Sequence, residues 1–170
     1  TTIALTRALV PLPSADQALP FHFAMKLTGT APALVKSPPM YNAPPEKVFS
    51  AWTDPEKVKR WMGPGEMKAV RAEADPRPGG RYRWVMQSPA GEEHDVGGVY
   101  REIIPNQRLV FTWAWKSTPE RESLVTVTFK SDGDGTLMTL THEQFFDEDA
   151  RDRHQHGWDG AMVKLENLFA

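Results

Sequence analysis

A recurring alternation of apolar and polar residues between positions 81 and 143 constrains the fold more than any other feature. Alternation with a period of two is typical of a β-strand that buries one face. Turns rich in residues that tolerate positive φ separate the runs, as at 131–135, so neighbouring strands are expected to pair antiparallel. The predicted strands are 81–87, 96–104, 108–116, 124–130 and 136–143.

The last segment of the chain predicts a long amphipathic helix from Asp147 to the C-terminus. Asp147, Glu148 and Asp149 place negative charge where a helix dipole favours it. Apolar residues then recur at helical spacing, and such a helix must cover an apolar surface. The one-sided sheet is that surface, so the sequence predicts an α+β fold in which an antiparallel curved β-sheet packs on a long C-terminal α-helix. The spaced positions are Ala150, Trp158, Ala161, Met162, Leu165, Leu168 and Phe169.

Two short helices are expected before the sheet, after a first short strand at 33–40. Pro45 is suited to the first turn of the first helix, where a missing N–H costs nothing. The second helix starts in the same way, with Asp54 as its N-cap and Pro55 as its first residue. It is expected to end before the Gly-Pro-Gly segment at 63–65. Between Gly97 and Gly98 we expect a bulge or a close approach of two backbones.

Residues 1–32 differ in composition from the predicted domain at 33–170. Prolines interrupt every periodic pattern, which is typical of an extended or disordered leader. Phe21, Phe23 and Met25 alternate with smaller or polar residues, a pattern that also fits a short edge strand. The prolines are Pro11, Pro13, Pro20 and Pro32.

Composition excludes several classes of function. A net charge of −2 without a Lys/Arg cluster argues against a nucleic acid or an anionic membrane as partner. The chain has no cysteine, which excludes disulfides and thiolate chemistry and fits a cytoplasmic location. Apolar runs are far shorter than the roughly 20 residues of a membrane-spanning helix. Composition leaves open whether the protein is a monomer or a homodimer.

Several motifs, in order along the chain, resemble the family of the activator of the Hsp90 ATPase, within the SRPBCC, START and Bet v 1-like superfamily. The resemblance implies a helix-grip fold, in which the sheet grips the C-terminal helix and commonly leaves an apolar cavity. The activator itself has an additional chaperone-binding domain, which the leader does not resemble, so Hsp90 activation is not implied. The motifs include NAPPEKVFSAWTDPEKVKRWMGP (42–64), PGGRYRWVM (78–86), GGVYREI (97–103), RLVFTWAW (108–115), SLVTVTF (123–129), LTHEQF (140–145) and HQHGWDGAMVKLENL (154–168).

Inward-facing aromatic and sulfur-containing side chains are the predicted lining of such a cavity. Two interpretations are open, because large rings commonly just fill a core, whereas several together can wall an irregular void. The predicted lining residues are Trp52, Trp61, Met62, Tyr82, Trp84, Met86, Phe111, Trp113, Trp115, Met138, Leu140, His142, His154, Trp158 and Met162.

Gly157 and Gly160 lie inside the predicted C-terminal helix, where each costs about 1 kcal/mol relative to alanine. Two destabilising glycines in one helix require a structural or functional explanation. Close contact between helix and sheet is one, and a gap beside Trp158 for a ligand or a bend of the helix is the other.

Catalytic chemistry has weak support. His142, Glu143 and Arg101 are the candidates for acid–base work. His142 and His154 are expected to approach the cavity from sheet and helix, and hydrogen-bonded core histidines are the favoured interpretation. We predict no metal site and no cofactor, since no helical His-x-x-x-His pair and no glycine-rich phosphate loop occur.

The sequence leaves three hypotheses about function. The favoured one is binding or transport of an apolar or aromatic small molecule without catalysis. The second is a cyclase- or hydratase-like enzyme acting on a substrate held in the cavity. The third is a stress-related chaperone co-factor that resembles the C-terminal domain of the Hsp90 ATPase activator.

Overall fold

The computed structural model describes residues 22–23, 26–27, 31–37 and 40–170. In chain order the strands are β1 (His22–Phe23), β2 (Lys26–Leu27), β3 (Pro32–Ser37), β4 (Lys68–Ala74), β5 (Arg81–Gln87), β6 (Glu93–Ile104), β7 (Arg108–Trp115), β8 (Ser123–Asp132) and β9 (Gly135–Glu143). The helices are α1 (Pro45–Thr53) and α2 (Pro55–Trp61), between β3 and β4, and α3 (Glu148–Asn167) after β9.

The strands form one antiparallel sheet in the order β1-β3-β9-β8-β7-β6-β5-β4, and β2 also pairs with β3. Strands β3 to β9 make up a curved sheet that α3 packs against, which confirms the predicted helix-grip fold. The strand predicted at 81–87 has those bounds, whereas β6 begins three residues before the predicted 96. The predicted turn at 131–135 is a hairpin in which Gly133 has φ 58°.

Strand β4 was missed by the sequence prediction. It pairs with β5 at the edge of the sheet, where only Ala69 and Ala72 of its seven residues are buried. A shift of register between Ala69 and Arg71 breaks the two-residue period on which the prediction depended.

Aspartate side chains cap the first turns of α2 and α3; the cap at Asp54 was predicted, whereas Asp147 was predicted as the first residue of α3. Asp54 caps α2, because its carboxylate accepts a hydrogen bond of 2.9 Å from the backbone N–H of Glu56. Asp147 caps α3 in the same way, accepting from the N–H of Ala150 at 2.6 Å. The capped α3 then buries Trp158, among other residues, against the sheet.

The paired glycines of β6 confirm the expected close approach of two backbones. A Cβ atom at Gly98 would collide with the carbonyl oxygen of Thr112 on β7, so no other residue fits there. A shift of register follows between Tyr100 and Glu102, where β6 changes its pairing with β7.

Most of the predicted leader lies outside the described residues. Its described parts pair with β3, with His22 opposite Ser37 and Lys26 opposite Ala33. Phe21 and Met25 lie outside the described residues, so the extended leader stays a prediction.

Candidate ligand-binding site

One part of the space between sheet and helix, the closed region, is filled by Trp52, Trp61, Trp84 and Phe111. The rings of Trp52 and Trp61 are 4.6 Å apart, and Phe111 lies 6.3 Å from Trp52 and 6.1 Å from Trp84. Trp52, Trp61 and Trp84 are each no more than 1% exposed. These rings pack against one another and form solid core.

The other part is an open pocket of about 350 Å³ between α3, the strands β5 to β7 and the loop after α2. This volume lies at the lower end of the roughly 300–1,000 Å³ of small-molecule sites. Its wall is mostly aromatic and sulfur-containing. The lining residues are Met62, Gly63, Pro64, Met67, Met86, His94, Trp113, Trp115, Arg153, His154, Gly157, Trp158 and Ala161.

The two glycines of α3 have different roles. A Cβ atom at Gly157 would meet nothing within 4 Å, because this face of the helix borders the pocket beside Trp158. A Cβ atom at Gly160 would lie 2.8 Å from the Cβ of Pro64, in the loop after α2. The gap predicted beside Trp158 is present at Gly157, and its use by a ligand stays a prediction. The predicted contact between helix and sheet is wrong, because Gly160 approaches the loop after α2 instead.

His154 holds two tryptophans of the pocket wall. Its Nε2 accepts hydrogen bonds from the indole N–H of Trp113 at 3.2 Å and of Trp115 at 3.0 Å. Its Nδ1 lies 2.6 Å from the carbonyl oxygen of Ala150, one turn earlier on α3. Since Nε2 accepts, the proton is assigned to Nδ1, which donates to that carbonyl.

His142 makes a parallel set of bonds from the sheet side. Its Nδ1 accepts from the indole N–H of Trp158 at 3.0 Å, and its Nε2 lies 2.8 Å from the hydroxyl of Ser123. That hydroxyl in turn donates to the carbonyl oxygen of Trp113 at 3.1 Å. The rings of His142 and His154 are 4.9 Å apart, so the two networks lie side by side.

Both histidines are held in the neutral form. Burial lowers the pKa of His142 well below its usual value, and the nearby His154 adds to this. Burial also lowers the pKa of His154, against the opposing effect of its bond to Ala150. His142 is a hydrogen-bonded core histidine, as the sequence favoured, whereas His154 is half-buried and hydrogen-bonded within the pocket wall. Every ring nitrogen of the two has a partner.

The rim of the pocket carries charge. Arg153 on α3 is exposed, and His94 on β6 is partly exposed with its Nε2 3.8 Å from a carboxylate oxygen of Glu92. Outside the lining, Lys164 of α3 donates 2.6 Å hydrogen bonds to the carbonyl oxygens of Gly63 and Met67. The loop after α2 is thereby attached to the helix that forms the pocket wall.

The structure separates the predicted lining residues into two groups. Nine pack in the core away from the pocket: Trp52, Trp61, Tyr82, Trp84, Phe111, Met138, Leu140, His142 and Met162. Six line the pocket: Met62, Met86, Trp113, Trp115, His154 and Trp158. Trp84 contacts Trp113 at 5.9 Å and Trp113 contacts Trp158 at 5.0 Å, so Trp113 lies between the two groups.

Sequence reasoning did not identify several residues around the pocket. Arg153 and Ala161 had a usable signal, since they lie four residues either side of Gly157 on one helix face. Met67 and His94 had none, because one lies in a loop and the other precedes the predicted start of its strand.

The other two candidates for catalysis lie away from the pocket. Arg101 is exposed and 3.9 Å from Glu122, and Glu143 is the last residue of β9. Within the described residues, no three histidine, aspartate or glutamate side chains come together in a way that could hold a metal ion. None of the helices described is long and apolar enough to cross a membrane.

Fold and pocket together define a helix-grip protein. The family model of the activator of Hsp90 ATPase homolog 1-like proteins matches residues 42–170, and the chain belongs to that family. The fold of this family is a ligand-binding or co-chaperone-like fold. No sequence among the curated proteins matches this chain.

Solved structures show the same fold. The AHSA1 protein from Silicibacter pomeroyi is 25% identical, with a TM-score of 0.71 over 80% of this chain and 96% of its own. An uncharacterised protein from Rhizobium leguminosarum is 28% identical, with a TM-score of 0.64 over 88% and 96%. A protein from Nitrosomonas europaea is 24% identical, with a TM-score of 0.69 over 80% and 92%, and supports the fold alone.

Proposed function

We propose that this protein binds an apolar, flat small molecule in the pocket between α3 and strands β5 to β7. The observation that carries the proposal is the space beside Gly157, where the helix has no side chain and the facing wall is Trp113, Trp115 and Trp158. Aromatic rings with fixed orientation suit a planar ligand, which can stack on them.

The hydrogen-bond networks behind the wall support binding rather than catalysis. The indole N–H groups of Trp113, Trp115 and Trp158 are all bonded to histidine nitrogens, so the rings are held in place before a ligand arrives. A wall fixed in advance loses little conformational entropy on binding. His154, the histidine within that wall, has both nitrogens engaged, and this geometry does not favour the enzyme alternative.

The substitution Gly157→Leu tests the site with the neutral fluorescent probe N-phenyl-1-naphthylamine. A leucine side chain at this position extends into the pocket without a clash at its Cβ. We expect the wild-type protein to bind the probe, with quenching of tryptophan fluorescence, and the variant to bind it at least about tenfold more weakly.

Val163→Leu is the matched control, because Val163 lies on the same helix but is 48% exposed to solvent. It should bind the probe as the wild type does. If Gly157→Leu folds with wild-type stability and keeps its affinity for the probe, the pocket is not the binding site. If the wild type binds neither this probe nor any of a panel of planar apolar compounds, the proposal itself is wrong.

A further inference from the structure

We infer that the ligand of this pocket is an apolar acid whose anionic group binds Arg153 at the rim. The inference rests on the proposed function and names the chemical class of ligand. It follows from the distribution of hydrogen-bond donors and charges around the pocket.

The inner wall has no free side-chain donor to offer a polar ligand group. The three indole N–H groups of Trp113, Trp115 and Trp158 go to the histidines, and the Nδ1–H of His154 goes to Ala150. The remaining inner lining consists of methionine, glycine, proline and alanine. A polar group placed deep in the pocket would lose its hydrogen bonds to water without replacement, so it must lie at the rim.

The ionisable side chains at the rim are basic residues. They are Arg153 and His94, and no aspartate or glutamate is among the lining residues. His94 already has the carboxylate of Glu92 3.8 Å away. Within the described part of the chain, no carboxylate lies within 4.0 Å of Arg153, whereas Arg151, two residues earlier, is paired with Asp152.

Arg153 therefore offers planar N–H donors and a positive charge beside an apolar surface. A guanidinium binds a carboxylate, sulfonate or phosphate through paired hydrogen bonds. The low polarity of the adjacent wall strengthens that attraction relative to open solvent. The matching ligand has a flat apolar body on the tryptophans and a single anionic group at the edge.

The test compares naphthalene-2-carboxylate with its neutral amide, naphthalene-2-carboxamide, each displacing N-phenyl-1-naphthylamine at pH 7.5. The two competitors share their ring system and differ in charge. We expect the wild type to bind the carboxylate about threefold to tenfold more tightly, since the ion pair is partly exposed. High salt should reduce this preference.

Arg153→Gln should abolish the preference for the carboxylate over the amide, and Arg153→Lys should keep part of it. Arg77→Gln is the control, because Arg77 is 73% exposed on the turn before β5 and outside the pocket. It should preserve the preference.

Three outcomes overturn the inference. Equal binding of carboxylate and amide would reject an anionic ligand and leave the apolar pocket intact. If Arg153→Gln still prefers the carboxylate over the amide, a residue other than Arg153 recognises the charge. Displacement by neither competitor, in a protein that binds the neutral probe, would reject this ligand class, whereas no binding of the probe would reject the proposed function as well.

Discussion

The closed region and the pocket contain the same kinds of side chain in different arrangements. In the closed region, Trp52 from α1 and Trp61 from α2 fill the space between helix and sheet, with their rings 4.6 Å apart. Around the pocket, Trp113 and Trp115 meet a helix face that carries Gly157, and the space stays open. Aromatic residues thus form closed core where the facing element contributes large side chains, and they border open space where it contributes a glycine.

Truncation of a ring should give the largest contrast between the two regions. Trp52→Ala removes a fully buried ring, which we expect to lower the free energy of unfolding by about 3–5 kcal/mol. Trp115→Ala removes a partly exposed ring and one hydrogen bond, and should cost no more than about 2 kcal/mol. Urea denaturation followed by circular dichroism measures both, and equal losses would contradict the distinction between the regions.

His142 and His154 lie at the boundary of the two regions. Because one is buried and the other half-buried, we expect the stability of the protein to depend on pH. Their pKa values are lowered in the folded protein, so below about pH 6.5, the ordinary histidine pKa, the unfolded chain binds more protons than the native one. The free energy of unfolding should therefore fall as pH falls through this range. The slope is at most about 1.4 kcal/mol per pH unit for each histidine, or about 2.7 for both.

Urea denaturation between pH 7.5 and 5.5 measures this slope. His154→Gln should remove roughly half of it, since one of the two buried imidazoles is then absent. His156, which is exposed on the same helix, provides the control variant His156→Gln with an unchanged slope. A wild-type stability that is the same at pH 5.5 and 7.5 would show that these histidines accept protons within the fold.

The two glycines of α3 give a smaller test, with opposite signs. Gly160→Ala places a methyl group 2.8 Å from the Cβ of Pro64 and should destabilise the protein by about 1–3 kcal/mol. Gly157→Ala meets open space and should stabilise it by up to about 1 kcal/mol through helix propensity. Thermal unfolding distinguishes them, and stabilisation by both would mean that the loop after α2 yields to the added methyl group.

The sequence predicted the fold in detail because its signals are local. The cap at Asp54, the negative charge at the start of α3 and the alternation in β5 each act over a few residues. Strand β4 escaped because a bulge broke its period and most of its residues face solvent.

The site was predicted only in part, because alternation shows that a side chain points inward and not what it meets there. Trp84 and Trp113 share this pattern, yet Trp84 is enclosed by other rings and Trp113 reaches the pocket. The hydrogen bond between Trp113 and His154 joins residues 41 positions apart, and no local pattern reports it.

The two bonds of Lys164 bear on how a ligand would enter and leave. The segment 63–67 is fastened to α3 through the carbonyls of Gly63 and Met67, so that side of the pocket cannot widen without breaking both. Exchange with solvent is therefore expected past the exposed Arg153 and the partly exposed His94. A ligand would leave on the side where its charged end faces water.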